Sequence, residues 1–321
     1  KDNKDPQQRF LAFVRLKRTQ MVLAACAAVI LMHFVILWAH HDDSLGGKTH
    51  QWLVKHGIRS MKEKGGVVVF LQRPRTGGKS VKANLNKHDF GVVMTHPHAE
   101  ASYSRAKVTV EQVLRGNVTE DLTQDEDPRI HFLALHEDFA SIPKIRNDIE
   151  HWRALAKKHR TALFVFTLVR NPVDYHISWF NEYRVSPCIH PSCVQPLLEP
   201  TDANLLSDVK ANAQCRGFSK LPDDLDSPVT AEDCNSAYEW MTKNLDWIGT
   251  TDNLSTETLP LLAELILGDA ERAESMRITG DQTKTLILRS NVVAAGAARK
   301  VRSRSALDQK LYDQVKYDYY L

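Results

Sequence analysis

The chain of 321 residues has little net charge and lacks the composition of a disordered or low-complexity protein. Its 42 lysine and arginine residues nearly balance 39 aspartate and glutamate residues, which leaves a net charge of +3. Residues 1–20 alone contribute +4, so the rest of the chain nets −1. A basic body is the usual electrostatic footprint of a nucleic-acid-binding protein, and the near-neutral balance argues against nucleic acid as a partner. Hydrophobic residues at 43% and charged residues at 25% are globular values.

Residues 21–40 contain no lysine, arginine, aspartate or glutamate. The apolar run from Met21 to Ala39 approaches the ~20 residues that a membrane-spanning helix needs. A buried core helix would show a polar face, and a cleaved signal peptide usually has a shorter apolar region of ~7–15 residues. Because the basic flank precedes the run, we predict that the N-terminal side stays in the cytoplasm. The expected parts are a cytoplasmic tail at 1–20, a transmembrane anchor at 21–39, a stem at 40–64 and a luminal domain at 65–321.

Cysteine is scarce, with five residues in the chain. Cys26 lies in the apolar run, and the other four are Cys188, Cys193, Cys215 and Cys234. An even number in the luminal part is consistent with disulfides in an oxidising compartment. Pairing of nearest neighbours is one of three possible connectivities. Zinc is the alternative, with His190 between the first two cysteines, but no CxxC pair is present, and we predict no metal.

Short β-branched apolar runs alternate with helical patterns after residue 65. The predicted strands are 65–72, 91–95, 129–135, 161–169 and 247–251, and the predicted helices are 79–88, 105–115, 145–159, one opening at Asn171-Pro172, 255–267 and 306–321. Continuous apolar strands suit a parallel sheet covered on both faces. We therefore predict an α/β fold, a P-loop-like parallel sheet flanked by helices. The region 186–245 interrupts the alternation, and we expect an irregular insertion there.

A glycine-rich segment, Arg73 to Ser80 (RPRTGGKS), follows the first strand and opens a helix. Glycine lets backbone N–H groups approach an anion, and the helix N-terminus adds its dipole. Arg75 and Lys79 supply charge, and Thr76 supplies a hydroxyl. The segment is not a complete Walker A motif, because that pattern requires glycine where Arg73 stands. The alternative is that the segment has no ligand-binding role and is an ordinary strand–helix turn with surface cations.

A second candidate anion site lies in LVRNPVDYHISWF, residues 168–180. Arg170 ends an apolar strand, and Ser178 lies two turns into the helix that follows. A guanidinium and a hydroxyl placed in this way can hold one phosphate. Two such sites at the carboxyl ends of neighbouring strands occupy the edge where open α/β sheets bind nucleotides.

Four segments, in order, resemble the motifs of sulfotransferases. PRTGGKS is similar to the PKTGGTS-type loop for a 5′-phosphosulfate, and VRNPVDYHISWF is similar to the RDPxxRxxSxY motif for a 3′-phosphate. WIGTTDNLSTETLPLLAEL and ALDQKLYDQV resemble the family's later strand–helix segment and closing helix. The apolar anchor and the glycosylation sequons at Asn117 and Asn253 suit the Golgi carbohydrate branch, and within it the heparan sulfate 2-O and 6-O and uronyl 2-O enzymes.

This resemblance implies a sulfotransferase fold, 3′-phosphoadenosine 5′-phosphosulfate (PAPS) as co-substrate, and no metal. It implies that the 5′-phosphosulfate is held by Arg75, Thr76, Gly77, Gly78, Lys79 and Ser80, with Arg75 and Lys79 also serving the transfer step. Arg170 and Ser178 would hold the 3′-phosphate. The family's usual lysine is Arg75 here, and its usual second arginine is Tyr175. The implied acceptor is a glycan, of the heparan or chondroitin/dermatan sulfate type, and the implied location is the Golgi membrane, single-pass with a luminal catalytic domain.

Sulfuryl transfer to a hydroxyl benefits from a general base. His136, just past a buried strand, is the predicted base. The glycosaminoglycan sulfotransferases that the chain resembles have a catalytic histidine after the corresponding strand. The rivals are His96, His98 and Glu137. An acceptor-binding patch could comprise Arg184, Arg216 and the basic run 299–304. The other functional hypotheses are a P-loop nucleotide or small-molecule kinase and a catalytically inactive, membrane-anchored binding protein.

Overall fold

The computed structural model describes a set of segments that together form one α/β core. The described residues are 61, 66–85, 100–116, 130–136, 142–185, 197–219, 221, 227–267 and 293–320. Several predictions lie outside them: the tail, the anchor at 21–39, the strand at 91–95, Cys188, Cys193, Asn117, His96, His98 and Glu137. Within the described segments, no helix has the length and hydrophobicity needed to cross a bilayer.

Four parallel strands form the central sheet, in agreement with the predicted architecture. They are β1 (Gly66–Gln72), β2 (Ile130–His136), β3 (Ala162–Val169) and β4 (Trp247–Thr250), in the spatial order β2-β1-β3-β4. The register pairs Gln72 with His136, Leu71 with Thr167 and Val169 with Thr250. All four strands therefore end at the same edge of the sheet.

The sequence of these strands follows from their burial on both faces. Val67, Val69 and Leu71 point into one core, whereas Val68 and Phe70 point into the other. Because neither face meets water, the strands are continuous apolar runs and do not alternate with polar residues. Phe70 stacks on Phe166 of the neighbouring strand, with ring centroids 4.6 Å apart.

Ten α-helices surround the sheet in the described segments. They are α1 (Gly78–Leu85), α2 (Glu100–Leu114), α3 (Ile142–His159), α4 (Pro172–Phe180), α5 (Asp202–Asp208), α6 (Ala213–Phe218), α7 (Ala231–Asn244), α8 (Leu259–Leu267), α9 (Ala295–Arg304) and α10 (Ala306–Tyr320). Two π-helical turns, Asn181–Val185 and Leu254–Thr258, extend α4 and precede α8. Residues of α2, α3, α6, α7 and α10 belong to the first core, and residues of α1 and α8 to the second.

Helix α4 starts as its sequence predicts. The side chain of Asn171 accepts a hydrogen bond from the Val173 N–H, and Pro172 occupies the first turn, where its missing N–H costs nothing. Val173, Ile177 and Phe180 then form a third apolar cluster with residues of α5 and α9. This cluster fixes α4 close to the carboxyl edge of the sheet.

The expectation of an irregular insertion at 186–245 is wrong for the described part of that region, which contains α5, α6 and α7. Thr230 and Asp233 form a reciprocal capping box that starts α7. The basic run 299–304, a candidate part of an acceptor-binding patch, lies in α9. Met61, in the predicted stem, is fully buried in the second core.

One of the predicted cysteine pairings is present. Cys215 of α6 and Cys234 of α7 form a disulfide across a sequence separation of 19 residues. Both cysteines are buried in the first core. The bond links the short helix α6 to the long helix α7, which fixes α6 at the carboxyl edge of the sheet.

Candidate functional site

The strand order creates a crevice between the carboxyl ends of β1 and β3. From β1 the chain moves to β2 on one side, and it then returns past β1 to form β3 on the other side. Strand order therefore reverses between β1 and β3, and ligands of open α/β sheets bind at such a point. The segments that follow these two strands are the glycine-rich loop and the start of α4, both predicted to bind anions.

The loop after β1 is shaped by two residues with positive φ. Arg75 has φ 65° and Gly77 has φ 86°. A β-carbon on Gly77 would lie 3.2 Å from a methyl of Leu254, so the position favours glycine for both conformation and space. The left-handed conformation of Arg75 is uncommon for a non-glycine residue, and such outliers cluster at functional sites.

Arg75 reaches across the crevice to α4. Its Nε donates to Ser178 Oγ over 2.9 Å. Arg170, the first residue after β3, donates from Nη1 to the Arg75 carbonyl oxygen, also over 2.9 Å. The predicted cations of the two anion sites, and Ser178, are thus assembled into one cluster.

Glu182 supplies a negative charge to the same cluster. Its Oε2 lies 3.0 Å from Arg75 Nη1, and its Oε1 lies 3.2 Å from Lys79 Nζ. The carboxylate therefore bridges the two cations of the glycine-rich loop. Glu182 lies on the π-helical turn that extends α4, and no sequence motif marked it as a site residue.

Further acidic groups surround Arg170. Burial lowers the pKa of the Arg170 guanidinium, and the charge of Arg75 acts in the same direction, whereas Asp174 and Asp252 oppose it. Asp252 follows β4 and accepts a hydrogen bond from the Tyr312 hydroxyl of α10. Burial and this bond raise the pKa of Tyr312. The described residues at the carboxyl edge therefore include charged groups of both signs.

The remaining predicted loop residues differ in exposure. Thr76 is fully buried and donates from Oγ1 to the Arg73 carbonyl oxygen over 2.9 Å. Ser80 and Gly78 are buried, whereas the Lys79 side chain is 62% exposed. Helix α1 begins at Gly78, so its first backbone N–H groups have no acceptor inside the helix. These N–H groups and Lys79 can meet an anion, while Thr76 serves the loop itself.

The structure shows the role of Arg73, which stands where a Walker A motif has glycine. Its Nη2 donates to the Ala213 carbonyl oxygen of α6 over 2.6 Å, and its guanidinium lies 5.9 Å from the centre of the Phe218 ring. The side chain is 6% exposed. Arg73 is therefore a packing residue that joins the loop to α6.

His136 is the last residue of β2, in register with Gln72 of β1. The prediction that it lies at the same sheet edge as the loop is confirmed for the backbone. Its catalytic role stays a prediction, as does the choice between His136 and the rivals at 96, 98 and 137, which lie outside the described segments.

Tyr175 stands where the RDPxxRxxSxY motif, which this segment resembles, has its second arginine, and its side chain is buried. Its side chain is 2% exposed and meets the ring of Trp179, with centroids 6.4 Å apart. Trp179 in turn contacts Tyr183 at 4.4 Å and lies under the Lys210 ammonium at 5.0 Å. Position 175 therefore adds an apolar contact to α4 in place of a cation.

The described residues include no cluster of three or more histidine, cysteine or acidic side chains able to hold a metal ion. The predicted anion ligands in the described segments are arginine, lysine, hydroxyl and backbone groups. All of these bind oxyanions by hydrogen bonds and charge.

The sequence matches no protein-family model and no curated protein. Among solved structures, the chain is similar to the crystal structure of mouse sulfotransferase SULT7A1 complexed with PAP. The TM-score is 0.38 and the sequence identity is 14%, over 79% of this chain and 83% of that chain. A similarity this distant leaves the function to be argued from the side chains of the site.

Proposed function

We propose that the protein transfers a sulfuryl group from PAPS to a hydroxyl of a glycan. The observation that carries the proposal is the cluster at the crevice: Arg75 bonded to Ser178 Oγ, and Arg170 bonded to the Arg75 carbonyl. PAPS carries anionic groups on both the 5′ and the 3′ side of one ribose. The loop and the β3–α4 junction offer cationic and hydroxyl groups from two sides of one crevice, which suits such a ligand.

Ser178 can serve a phosphate without losing its bond to Arg75. A hydroxyl has one hydrogen to donate and two lone pairs to accept. In its bond with Arg75 it accepts, so its own hydrogen can still be donated to an oxyanion. Arg170 supplies forked N–H donors at the same place, and such donors match phosphate geometry.

The transfer step needs charge neutralisation on the leaving phosphate and a base for the acceptor hydroxyl. We assign the first task to Arg75 and Lys79, because both lie on the loop that faces the crevice. We assign the second to His136, because β2 ends beside β1 at the same edge.

We further propose a Golgi location with a membrane anchor at 21–39 and a glycosaminoglycan acceptor. The disulfide between Cys215 and Cys234 supports an oxidising compartment. Exposed cations of α9, which packs on α4, support a polyanionic acceptor. They are Arg299, Lys300, Arg302 and Arg304.

Incubation of the full chain with radiolabelled PAPS and a panel of desulfated heparan and chondroitin chains tests the proposal. We expect label in a glycan, with no requirement for added metal. Binding of adenosine 3′,5′-bisphosphate without transfer to any glycan would favour an inactive binding protein. Transfer of the γ-phosphate from labelled ATP, with no binding of the bisphosphate, would favour a kinase.

A further inference from the structure

Helix α6 contacts both segments that carry the predicted anion ligands. Gln214 accepts the Arg170 N–H at Oε1 over 2.8 Å and donates from Nε2 to the Arg170 carbonyl oxygen over 2.7 Å. Its side chain thus pairs with both polar backbone atoms of Arg170, as a neighbouring strand would. Gln214 is 1% exposed, so water does not compete for these bonds.

The residue before Gln214 holds the other segment. The Ala213 carbonyl accepts a hydrogen bond from Arg73, and the Arg73 carbonyl accepts the hydroxyl of Thr76. Consecutive residues of one short helix are therefore bonded to the base of the glycine-rich loop and to the end of β3. These two segments flank the crevice.

Hydrogen bonds with residues of α10 fix the start of helix α6. The two carboxylate oxygens of Asp308 accept the N–H groups of Gln214 at 3.0 Å and Cys215 at 2.7 Å. Asp308 is fully buried. The Leu307 N–H also donates to Asn212 Oδ1 over 3.0 Å, and Asn212 precedes α6 in a left-handed conformation. A helix of six residues has little stability of its own, so these contacts, together with the Cys215–Cys234 disulfide, determine its position.

We propose that Gln214 and Asp308 are positioning residues that set the spacing of the two anion-binding segments through α6. Asp308 orients the start of α6, and Gln214 transmits that orientation to the backbone of Arg170. Because Arg170 bonds to the Arg75 carbonyl, a displaced Arg170 backbone would disturb both sides of the crevice. The ligand in this inference rests on the proposed function, whereas the spacing of the segments does not.

The principal variant is Gln214→Met, which keeps the length of the side chain and removes both hydrogen bonds. We expect adenosine 3′,5′-bisphosphate to bind the full chain about tenfold more weakly, the equivalent of one lost hydrogen bond. Adenosine 5′-phosphate, which lacks the 3′ group, should lose less than about threefold. In the double variant Gln214→Met/Arg170→Ala, the ratio of the two affinities should equal that of Arg170→Ala alone.

Asp246→Asn is the matched structural control. Asp246 accepts the Val165 N–H over 2.7 Å and pairs with Arg153 at 2.9 Å; it precedes the first residue of β4, beside the middle of β3 and away from the carboxyl edge of the sheet. This variant should lower the melting temperature without changing the ratio of the two affinities. If Gln214→Met also lowers only the melting temperature, Gln214 is a stability residue and the inference is wrong.

Amide hydrogen exchange gives a readout that needs no ligand. In Gln214→Met the Arg170 amide should lose protection, and in Asp308→Asn the amides of Arg170 and of the loop at 75–78 should both exchange faster than in Asp246→Asn. Unchanged exchange in both variants would overturn the inference. If the wild-type chain binds neither nucleotide, the proposed function fails, and the exchange result still decides the positioning role.

Discussion

Arg75 and Ser178, 103 residues apart in the sequence, are joined by a 2.9 Å hydrogen bond from the guanidinium Nε to the hydroxyl. The bond links the loop after β1 to the helix after β3, directly over the crevice between the two strands. An anion that enters the crevice therefore meets groups from two distant segments that are already held together. Such preorganisation lowers the cost of ordering the site when a ligand binds.

Arg170→Ala should distinguish the contribution of the 3′-phosphate to binding affinity from that of the rest of the nucleotide. Hydrogen bonds to charged groups contribute about 1.5–3 kcal/mol, so adenosine 3′,5′-bisphosphate should bind about 10- to 100-fold more weakly. Adenosine 5′-phosphate should change much less. Titration calorimetry of both ligands measures the difference, with Arg115→Ala, at the exposed end of α2, as the control. Equal losses for both ligands would remove Arg170 from the 3′ site.

Glu182→Gln should tighten the binding of anions. The Glu182 carboxylate pairs with Arg75 and Lys79, so it competes with an incoming oxyanion for both cations. Partly exposed ion pairs contribute up to about 1 kcal/mol, which predicts about two- to fivefold tighter binding of inorganic pyrophosphate and of the bisphosphate. The gain should shrink at high salt. Glu239→Gln, at an exposed position of α7, makes the same charge change as a control. Weaker binding in Glu182→Gln would mean that the carboxylate holds Arg75 in its binding position.

His136→Ala should lower turnover by about 10²–10⁴-fold, the usual contribution of a general base. Affinity for adenosine 3′,5′-bisphosphate should hardly change, because the base serves the acceptor and not the nucleotide. His96→Ala and His98→Ala, measured for turnover and affinity in the same way, are the comparison variants. Near-normal turnover in His136→Ala together with a loss in one of the others would move the base to that residue.

Two buried groups should give opposite pH dependences of stability. Burial lowers the pKa of His176 from 6.5 to about 4. The contribution of this residue to the free energy of unfolding is therefore complete above pH 6.5 and is lost as the pH falls towards 4. Burial raises the pKa of Asp308 from 3.8 to about 6, so stability from this group falls as the pH rises from 3.8 to 6. Each effect has an upper limit of about 3 kcal/mol.

Variants separate these two effects. Urea unfolding between pH 4 and 6.5 gives the free energy of unfolding of each variant minus that of wild type. As the pH rises, this difference should decrease for His176→Gln and increase for Asp308→Asn. A difference from wild type that stays constant with pH would exclude the altered residue as the source. His176 Nε2 lies 3.0 Å from Ser305 Oγ, a contact that glutamine can replace.

Topology can be tested in cells. If the chain has a cytoplasmic N-terminal side and a luminal domain, endoglycosidase should reduce its mass, and Asn117→Gln or Asn253→Gln should remove that shift at whichever site is used. An epitope at Leu321 should be protected from protease until the membrane is permeabilised. Access to that epitope in intact vesicles would contradict the proposed orientation.

The sheet could be predicted from sequence because its signal is local. Each described strand begins and ends within one residue of the predicted run, since a strand buried on both faces must be apolar throughout. The Asn171-Pro172 start of α4 is equally local. Helix α2 begins five residues before the predicted start, because its polar first turn carries no apolar period.

The residues that complete the site had no such signal. Glu182 lies 103 residues from Lys79, and Asp308 lies 94 residues from Gln214. Nothing in the sequence distinguishes Glu182, which follows a helix, or Gln214, which precedes Cys215, from other polar residues, because only the fold brings them close to the crevice. Helices α5 to α7 were missed because their stretch is rich in aspartate and proline, and only the Thr230–Asp233 capping box could have revealed α7.

The strand order also determines when during synthesis the site can form. Strand β1 acquires its neighbour β3 only after residue 169 has been made, and Asp308, which anchors α6, is made 94 residues after Gln214. Long-range pairing of this kind is slow, because the closure of large loops precedes the contacts that stabilise them. A growing chain thus carries the glycine-rich loop long before the crevice is complete. If the crevice binds a nucleotide as proposed, that binding would report completed folding of the core and could be used to follow the quality control of newly made chains.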